Sequence, residues 1–335
     1  MRLRLRAVVS ETDDSKSLVF DVPAELTGRM IYRPGQFLTL RVPLGGRHLP
    51  RCYSLASSPV ADEPHRVTVK RVKDGRASNW ICDNLAPGDE VEVLAPAGVF
   101  TPRSFDDDFL LFGGGSGITP LFSILRTILK VGAGRVCLVY ANRDERSVIF
   151  KDELKALAAA HPARLQIIHW LDSVQGLPEV AQLAELARKW PQAQAFICGP
   201  TPFMDAATQA LHGVGFPPDR VHVERFVSLP DEEDAVAVES TGEASIDVEV
   251  QLDGCVQIVR CAPDETLLDA MLRAGLKAPH SCKAGACASC MCTLESGEVQ
   301  LRHNEVLDKS DLAQGWTLAC QAEPRSAVVR VRFPD

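Results

Sequence analysis

The chain has no run of about 18 apolar residues, so no segment is expected to cross a membrane as a helix. Its first ten residues, MRLRLRAVVS, alternate charged and apolar positions as an exposed strand does and lack the apolar core of a secretory leader. The 11 cysteines show no disulfide framework, which fits a reducing compartment and gives cytoplasm as the expected location. There is no basic excess: 36 Lys and Arg face 44 Asp and Glu, for a net charge of −8. Without a basic patch, nucleic acid is not an expected partner. No Ser/His/Asp set or paired carboxylates stand out, and neither does an internal repeat or a low-complexity tract.

What is present is concentrated near the C-terminal end. Cys282, Cys287 and Cys290 are spaced C-x4-C-x2-C, and Cys320 follows after 29 intervening residues. This is the ligand pattern of a plant-type [2Fe-2S] cluster. Three thiolates on one short loop can wrap a cluster, and a fourth from a distant segment closes it. The loop residues are small apart from Lys283, so backbone N–H groups can approach the sulfurs. Zinc commonly uses two C-x2-C pairs, and the second pair is missing here. Cys292 lies two residues beyond Cys290 and reads as a packed small residue, because the four-ligand set is already complete. His280 and His303 do not supply a paired Cys/His pattern and read as surface residues.

Residues 1–102 predict a small antiparallel barrel. Short alternating segments (17–22, 36–42, 53–57, 66–72 and 90–94) are separated by turn signals such as Pro34-Gly35 and Pro87-Gly88. Arg51-Cys52-Tyr53-Ser54-Leu55 suits a flavin dinucleotide. Arg51 can pair with pyrophosphate, Tyr53 offers a flat face to the ring system, and Ser54 brings a hydroxyl near its reactive nitrogen. Gly75 to Ser78 precede an expected helix over 80–85, whose free N–H groups would receive phosphate.

Residues 107–228 alternate strands and helices, the pattern of a parallel α/β sheet. The apolar strand 109–112 runs into Gly113-Gly114-Gly115-Ser116-Gly117-Ile118-Thr119-Pro120 and then a helix over 121–130. Such a loop allows a dinucleotide pyrophosphate to approach the backbone closely, although Ile118 stands where the third glycine of G-x-G-x-x-G would be. Strands over 136–140, 165–171 and 195–197 end at Asn142-Arg143, Asp172-Ser173 and Cys198-Gly199-Pro200, all expected on the sheet's carboxyl edge. Residues 229–245 carry six acids and no Lys or Arg and read as a solvated linker. From 246 onward, two strands joined at Asp253-Gly254, a helix over 266–274 with Gly275 as its C-cap, the cysteine loop and a strand over 291–295 follow in β-grasp order. Residues 229–335 together carry −10, which suits docking on basic partner surfaces as well as plain solubility.

R-x-Y-S-L, G-G-G-S-G-I-T-P, C-G-P and the cysteine set, in this order, resemble the ferredoxin–NADP reductase superfamily. More narrowly, they resemble reductases with a C-terminal ferredoxin domain that serve multicomponent oxygenases. The resemblance covers essentially the whole chain. Tyr140-Ala141-Asn142-Arg143, Ser147-Val148-Ile149-Phe150 and His169-Trp170-Leu171 point toward the branch serving Rieske-type steroid 9α-hydroxylases. The fold implied is multidomain: a flavin-binding antiparallel β-barrel, an NAD-binding α/β parallel sheet and a β-grasp [2Fe-2S] ferredoxin.

The resemblance implies FAD held by Arg51, Cys52, Tyr53 and Ser54, with Gly75, Ala77 and Ser78 at its pyrophosphate. It adds Lys70 and Phe226 as further flavin contacts. Gly113 to Gly117 and Thr119 would face the NAD pyrophosphate and the flavin edge. Asn142, Arg143, Asp172, Gly199 and Pro200 would complete the nucleotide site. Cys198 would lie near the nicotinamide and Ser54 near the flavin, the two positions closest to hydride transfer. Asp172 can accept from a ribose 2′-hydroxyl and repels a 2′-phosphate, which favours NADH, while Arg143 keeps NADPH open. The expected route is NADH to FAD to [2Fe-2S] to a terminal oxygenase. Reductases of phenylacetyl-CoA epoxidase or of aromatic-ring hydroxylases share these parts. A redox-sensing binding protein is the alternative from another class.

Overall fold

The computed structural model describes residues 1–335 except 45–46, 227–245, 253, 281–282, 284, 286–287, 305, 308 and 334–335. The acidic linker, Asp253, Cys282 and Cys287 therefore lie outside the described residues. Two compact units result, one ending at Phe226 and one comprising the C-terminal residues. Among the described residues no helix is long and apolar enough to cross a membrane.

The first unit opens with the barrel strands β1 (Arg2–Thr12), β2 (Ser15–Asp21), β3 (Phe37–Leu44), β4 (Arg47–Ser54), β5 (His65–Lys70) and, after helix α1 (Arg76–Asn84), β6 (Glu90–Val93). Strand β1 shows why they pair: Leu3 and Leu5 turn into the core while Arg2, Arg4 and Arg6 face solvent, the two-residue period of a half-buried strand. The antiparallel order is β4-β3-β6-β1-β2-β5. The two edges meet where Leu55 bridges Val67 and the Ala56 N–H reaches the Arg66 carbonyl at 2.7 Å, so the sheet closes as a barrel. Helix α1 begins at Arg76, not near Trp80. Asn79 donates to the Gly75 and Val72 carbonyls, which ties the polar first turn into the helix start.

Next come β7 (Phe109–Gly114), α2 (Ile118–Val131), β8 (Val136–Asn142), α3 (Lys151–Ala160), β9 (Leu165–Leu171), α4 (Asp172–Gln175), α5 (Val180–Ala187), β10 (Gln194–Cys198), α6 (Thr201–Gly213) and β11 (Val221–Glu224). All five strands are parallel, in the order β11-β10-β7-β8-β9. Strand β7 is buried throughout because both of its faces are covered. Phe109 and Leu111 pack with α2, and Leu110 and Phe112 pack with α5 and α6. Gly113 and Gly114 belong to β7 itself, so the turn is shorter than the sequence suggests. The chain order reverses between β7 and β10, which creates a crevice at their carboxyl ends.

A buried polar seam joins barrel and sheet. Ser123 Oγ donates to the Ser57 carbonyl at 2.6 Å, and the Ser58 and Thr127 hydroxyls lie 2.8 Å apart. Arg66 pairs with Glu153 at 2.7 Å and lies over the Phe150 ring, 4.7 Å from its centroid.

The second unit contains β12 (Ile246–Leu252), β13 (Cys255–Cys261), α7 (Leu267–Arg273), β14 (Met291–Ser296), β15 (Val299–Leu301), α8 (Lys309–Ala313), β16 (Trp316–Leu318), β17 (Ala322–Pro324) and β18 (Val328–Arg332). Its main sheet runs β13-β12-β18-β14-β16, with β12 and β18 parallel at the centre. Thr266 caps α7 by accepting from the Asp269 N–H at 3.2 Å, and Gly275 follows with φ +83°. The register pairs Leu252 with Cys255 around Gly254, whose φ is +73°. His303 is exposed, whereas His280 is half-buried, its Nδ1 2.9 Å from the Ala278 carbonyl. His280 is thus less of a surface residue than the sequence suggests.

Candidate functional site: three stations on two units

In the first unit, β4 carries Arg51, Cys52, Tyr53 and Ser54. Arg51 donates from Nη1 to the Pro50 carbonyl at 2.8 Å. Ser54 is buried, and burial raises the Tyr53 hydroxyl far above its ordinary value. Helix α1 has no side-chain cap, which leaves the N–H groups of its first turn available to an acceptor. A Cβ on Gly75 would lie 2.8 Å from Ser78 Oγ and 2.9 Å from Val72 Cβ, so only glycine holds this turn so tightly. Ser78 Oγ accepts from the Val72 N–H at 3.1 Å and can still donate. Ala77 is buried against the barrel core. These residues fit a dinucleotide phosphate at a helix N-terminus.

The glycine turn after β7 answers to a second demand. A Cβ on Gly117 would lie 2.1 Å from the Cys198 carbonyl oxygen, and one on Gly114 2.8 Å from Pro200 Cδ. One on Gly199 would lie 3.0 Å from Gly114 Cα. Three of the glycines therefore let the β7 and β10 ends lie against each other, which also brings their backbone groups to one edge. Gly115 has φ +51°, and its carbonyl accepts from Tyr140 Oη at 3.1 Å. Thr119 Oγ1 donates to the Ser116 carbonyl at 3.0 Å.

Along the same edge, the Asn142 side chain is 5 % exposed, and apart from the neighbouring Tyr140 hydroxyl it has no hydrogen-bond partner among the described residues. Asp172 Oδ1 has no partner among them, and burial raises its carboxyl above the ordinary range. Buried, unsatisfied polar atoms are costly, and the hydroxyls of a bound ribose would satisfy them. These atoms and the glycine cradle fit a nicotinamide dinucleotide. Arg143 pairs with Asp14 at 3.2 Å, and Lys70 Nζ lies 3.7 Å from the same carboxylate. The β1–β2 turn of the barrel thus reaches the nucleotide edge of the sheet.

Cys198 ends β10, fully buried and in register with Gly113 on one side and Glu224 on the other. Burial pushes its thiol well up. Nothing in the sequence pattern singles out Glu224. Its carboxyl is pushed up to about 8 by loss of solvation, with a smaller contribution from Cys52. Cys52 acts on it electrostatically from β4. Phe226, two residues on, is 46 % exposed and so is not a core residue.

In the second unit, Cys290 and Cys320 are buried in one core with Cys292. Cys282 and Cys287 fall outside the described residues. Lys283, Gly285 and Ala288 have φ of +50°, +71° and +55°. Two of the three are not glycine, and such backbone is held only where its surroundings enforce it. Backbone turned this way directs N–H groups into a concavity, which fits an anionic iron–sulfur cluster.

Three domain families match successive parts of the chain. Residues 2–101 match the oxidoreductase FAD-binding domain, 111–209 the oxidoreductase NAD-binding domain and 250–325 the 2Fe-2S iron-sulfur cluster binding domain. The chain is 52 % identical over 337 residues to the ferredoxin reductase component of 3-ketosteroid-9-alpha-monooxygenase from Rhodococcus rhodochrous, covering 99 % of this chain and 96 % of that protein. It is 36 % identical to a component of the 1,2-phenylacetyl-CoA epoxidase of Escherichia coli K12, over 99 % of this chain and 97 % of that one. Among solved structures it resembles phthalate dioxygenase reductase, with a TM-score of 0.63 and 25 % identity over 99 % of this chain and 98 % of that one.

Proposed function

The chain belongs to the family of FAD-, NAD- and [2Fe-2S]-binding reductase components of oxygenase systems, and from that membership we propose that its partner is a 3-ketosteroid 9α-hydroxylating oxygenase. The observation that carries the proposal is the 52 % identity over nearly the whole of both chains. When bound, the flavin converts a two-electron hydride donor into single electrons that an iron–sulfur cluster accepts.

The residues of this chain bind, orient and exclude water. The α1 N-terminus, Gly75, Ser78 and Arg51 would hold the flavin phosphates. Tyr53, Ser54 and Phe226 would hold its ring system. The Asn142 amide and the Asp172 carboxylate engage the nicotinamide nucleotide, and Asp172 favours NADH. At neutral pH Cys198 keeps its proton and Glu224 largely keeps its own, so the nicotinamide end of the crevice is close to neutral. Hydride transfer needs no acid or base there. Cys282, Cys287, Cys290 and Cys320 hold the cluster, and their thiolates suit a reducing cytoplasm.

The test is a reconstituted assay with NADH, oxygen, a ketosteroid 9α-hydroxylase oxygenase and androstenedione, with product read by mass spectrometry. Hydroxylated steroid formed in proportion to NADH consumed supports the proposal. Fast NADH oxidation without product in that assay, but with product when an epoxidase oxygenase is supplied, moves the partner to that system. Slow NADH-dependent reduction of any one-electron acceptor favours a redox sensor.

A further inference from the structure

We propose that Gln321 is a positioning residue for the iron–sulfur centre, tying the fourth ligand to the ligand loop and raising the centre's reduction potential. The proposal rests on the reading that Cys282, Cys287, Cys290 and Cys320 are the ligands. Gln321 is 7 % exposed. Its Nε2 lies 2.8 Å from the Lys283 carbonyl and 3.6 Å from Cys320 Sγ. A carbonyl oxygen only accepts, so the atom facing Lys283 must be the amide nitrogen and not its oxygen. That nitrogen has two hydrogens, one for the loop and one for the sulfur.

The surroundings hold the side chain in this bridge. The Gln321 N–H donates to the Leu318 carbonyl at 2.9 Å, and its own carbonyl accepts from the Arg302 N–H at 2.9 Å. The stem packs directly under the loop: a Cβ on Gly285 would lie 3.0 Å from Gln321 Cγ and 2.7 Å from the His303 carbonyl. Lys283, the loop residue that receives the hydrogen bond, has φ +50°, which a non-glycine residue adopts only when something holds it there. The amide thus joins a strained loop residue to the sulfur of a ligand distant in sequence.

The electrostatic consequence has a fixed sign. Reduction adds negative charge to the cluster and its sulfurs. A donor aimed at a ligand sulfur stabilises the reduced state more than the oxidised one and raises the potential.

The experiment uses the full-length holoprotein and two variants, Gln321→Met and Gln321→Glu. Both keep the stem, and both remove the amide donor. Iron and acid-labile sulfide are measured first, followed by a dye-coupled anaerobic titration of the cluster, with the flavin potential as an internal control. The expected result is a cluster potential lowered in both variants by a severalfold to tenfold change in the one-electron equilibrium, tenfold being about 59 mV, with the flavin unmoved. If Gln321→Met loses its cluster, Gln321→Glu carries the measurement. An unchanged potential at full cluster content overturns the proposal. A wild-type chain without two irons and two sulfides overturns the ligand reading beneath it instead.

Discussion

Cys198 and Glu224 lie side by side across the β10–β11 ladder, at the carboxyl ends of both strands. Burial makes both harder to ionise. Burial raises the thiol, and the neighbouring carboxylate adds to the shift. Burial raises the carboxyl to about 8, with Cys52 adding from the barrel side. Two ionisable groups at a strand-end crevice are thereby kept mostly protonated near neutral pH. A crevice wall of this kind suits a nicotinamide ring better than a charged one does.

Glu224→Gln is expected to change how stability depends on pH. The folded carboxyl titrates near 8, above its ordinary value of 4.5. Between these values the folded chain holds a proton that the unfolded chain has released. The stability contributed by this proton is complete below about pH 4.5 and is lost as pH rises through about 8. Glutamine keeps the shape and removes the titration. Relative to wild type, the variant should therefore gain about 1–2 kcal/mol between pH 5 and pH 8, a figure reduced because the carboxyl keeps some contact with solvent. Urea unfolding at the two pH values measures this, and a constant difference between the proteins would count against it.

Gly117→Ala should be costly although the residue has an ordinary backbone, with φ −62° and ψ −9°. The added methyl would meet the Cys198 carbonyl oxygen at 2.1 Å and the Gly199 nitrogen at 2.6 Å, and both are backbone atoms that cannot rotate away. A loss of about 3 kcal/mol is expected, at the upper end for overpacking, together with slower flavin reduction by NADH. Gly213→Ala, at the end of α6 with nothing within 4 Å of its Cβ position, is the control. It should be neutral or stabilise by about 0.5–1 kcal/mol. Equal melting temperatures for the two variants would disprove the packing argument.

The order of modules was legible in the sequence because each rests on a local pattern: cysteine spacing, a glycine turn after an apolar strand, and R-x-Y-S between turn signals. What was not legible depends on contacts distant in sequence. The glycines of the 113–117 turn suggest ligand approach, but Gly114 and Gly117 are also required by the Cys198–Pro200 segment, about 80 residues away. The start of α1 differs from the sequence expectation because Arg76, Ser78 and Asn79 are polar, and the Asn79 bonds back to Gly75 and Val72 tie them into the helix. Glu224 is a site feature that the sequence does not single out. Its environment comes from β10 and from β4 of the barrel. The pattern Val221-His222-Val223-Glu224 carries no sign of either.

Asp172→Ala is expected to relax nucleotide preference. Asp172 Oδ1 is buried without a partner among the described residues, at the end of β9 on the nucleotide edge. A 2′-hydroxyl would satisfy it, and a 2′-phosphate would be repelled. Arg143, held by Asp14 at 3.2 Å, is the nearby cation that a 2′-phosphate would recruit. The ratio of kcat/KM for NADPH to that for NADH should rise about tenfold, the equivalent of about 1.4 kcal/mol. A ratio that stays at the wild-type value would put the discriminating group elsewhere on the edge.

Cys290→Ser is expected to separate the two halves of the reaction. Cys290 is 2 % exposed and packs in the same core as Cys320. A serine hydroxyl there is a poor replacement for a thiolate ligand. The FAD-binding domain match, residues 2–101, falls within the other compact unit. Anaerobic bleaching of flavin absorbance by NADH should therefore proceed at close to the wild-type rate, while reduction of cytochrome c and of the oxygenase falls by at least a hundredfold. Loss of flavin bleaching in a folded variant would mean that the cluster is needed before the flavin and would reverse the order of transfer. Unimpaired reduction of the oxygenase would remove Cys290 from the ligand set.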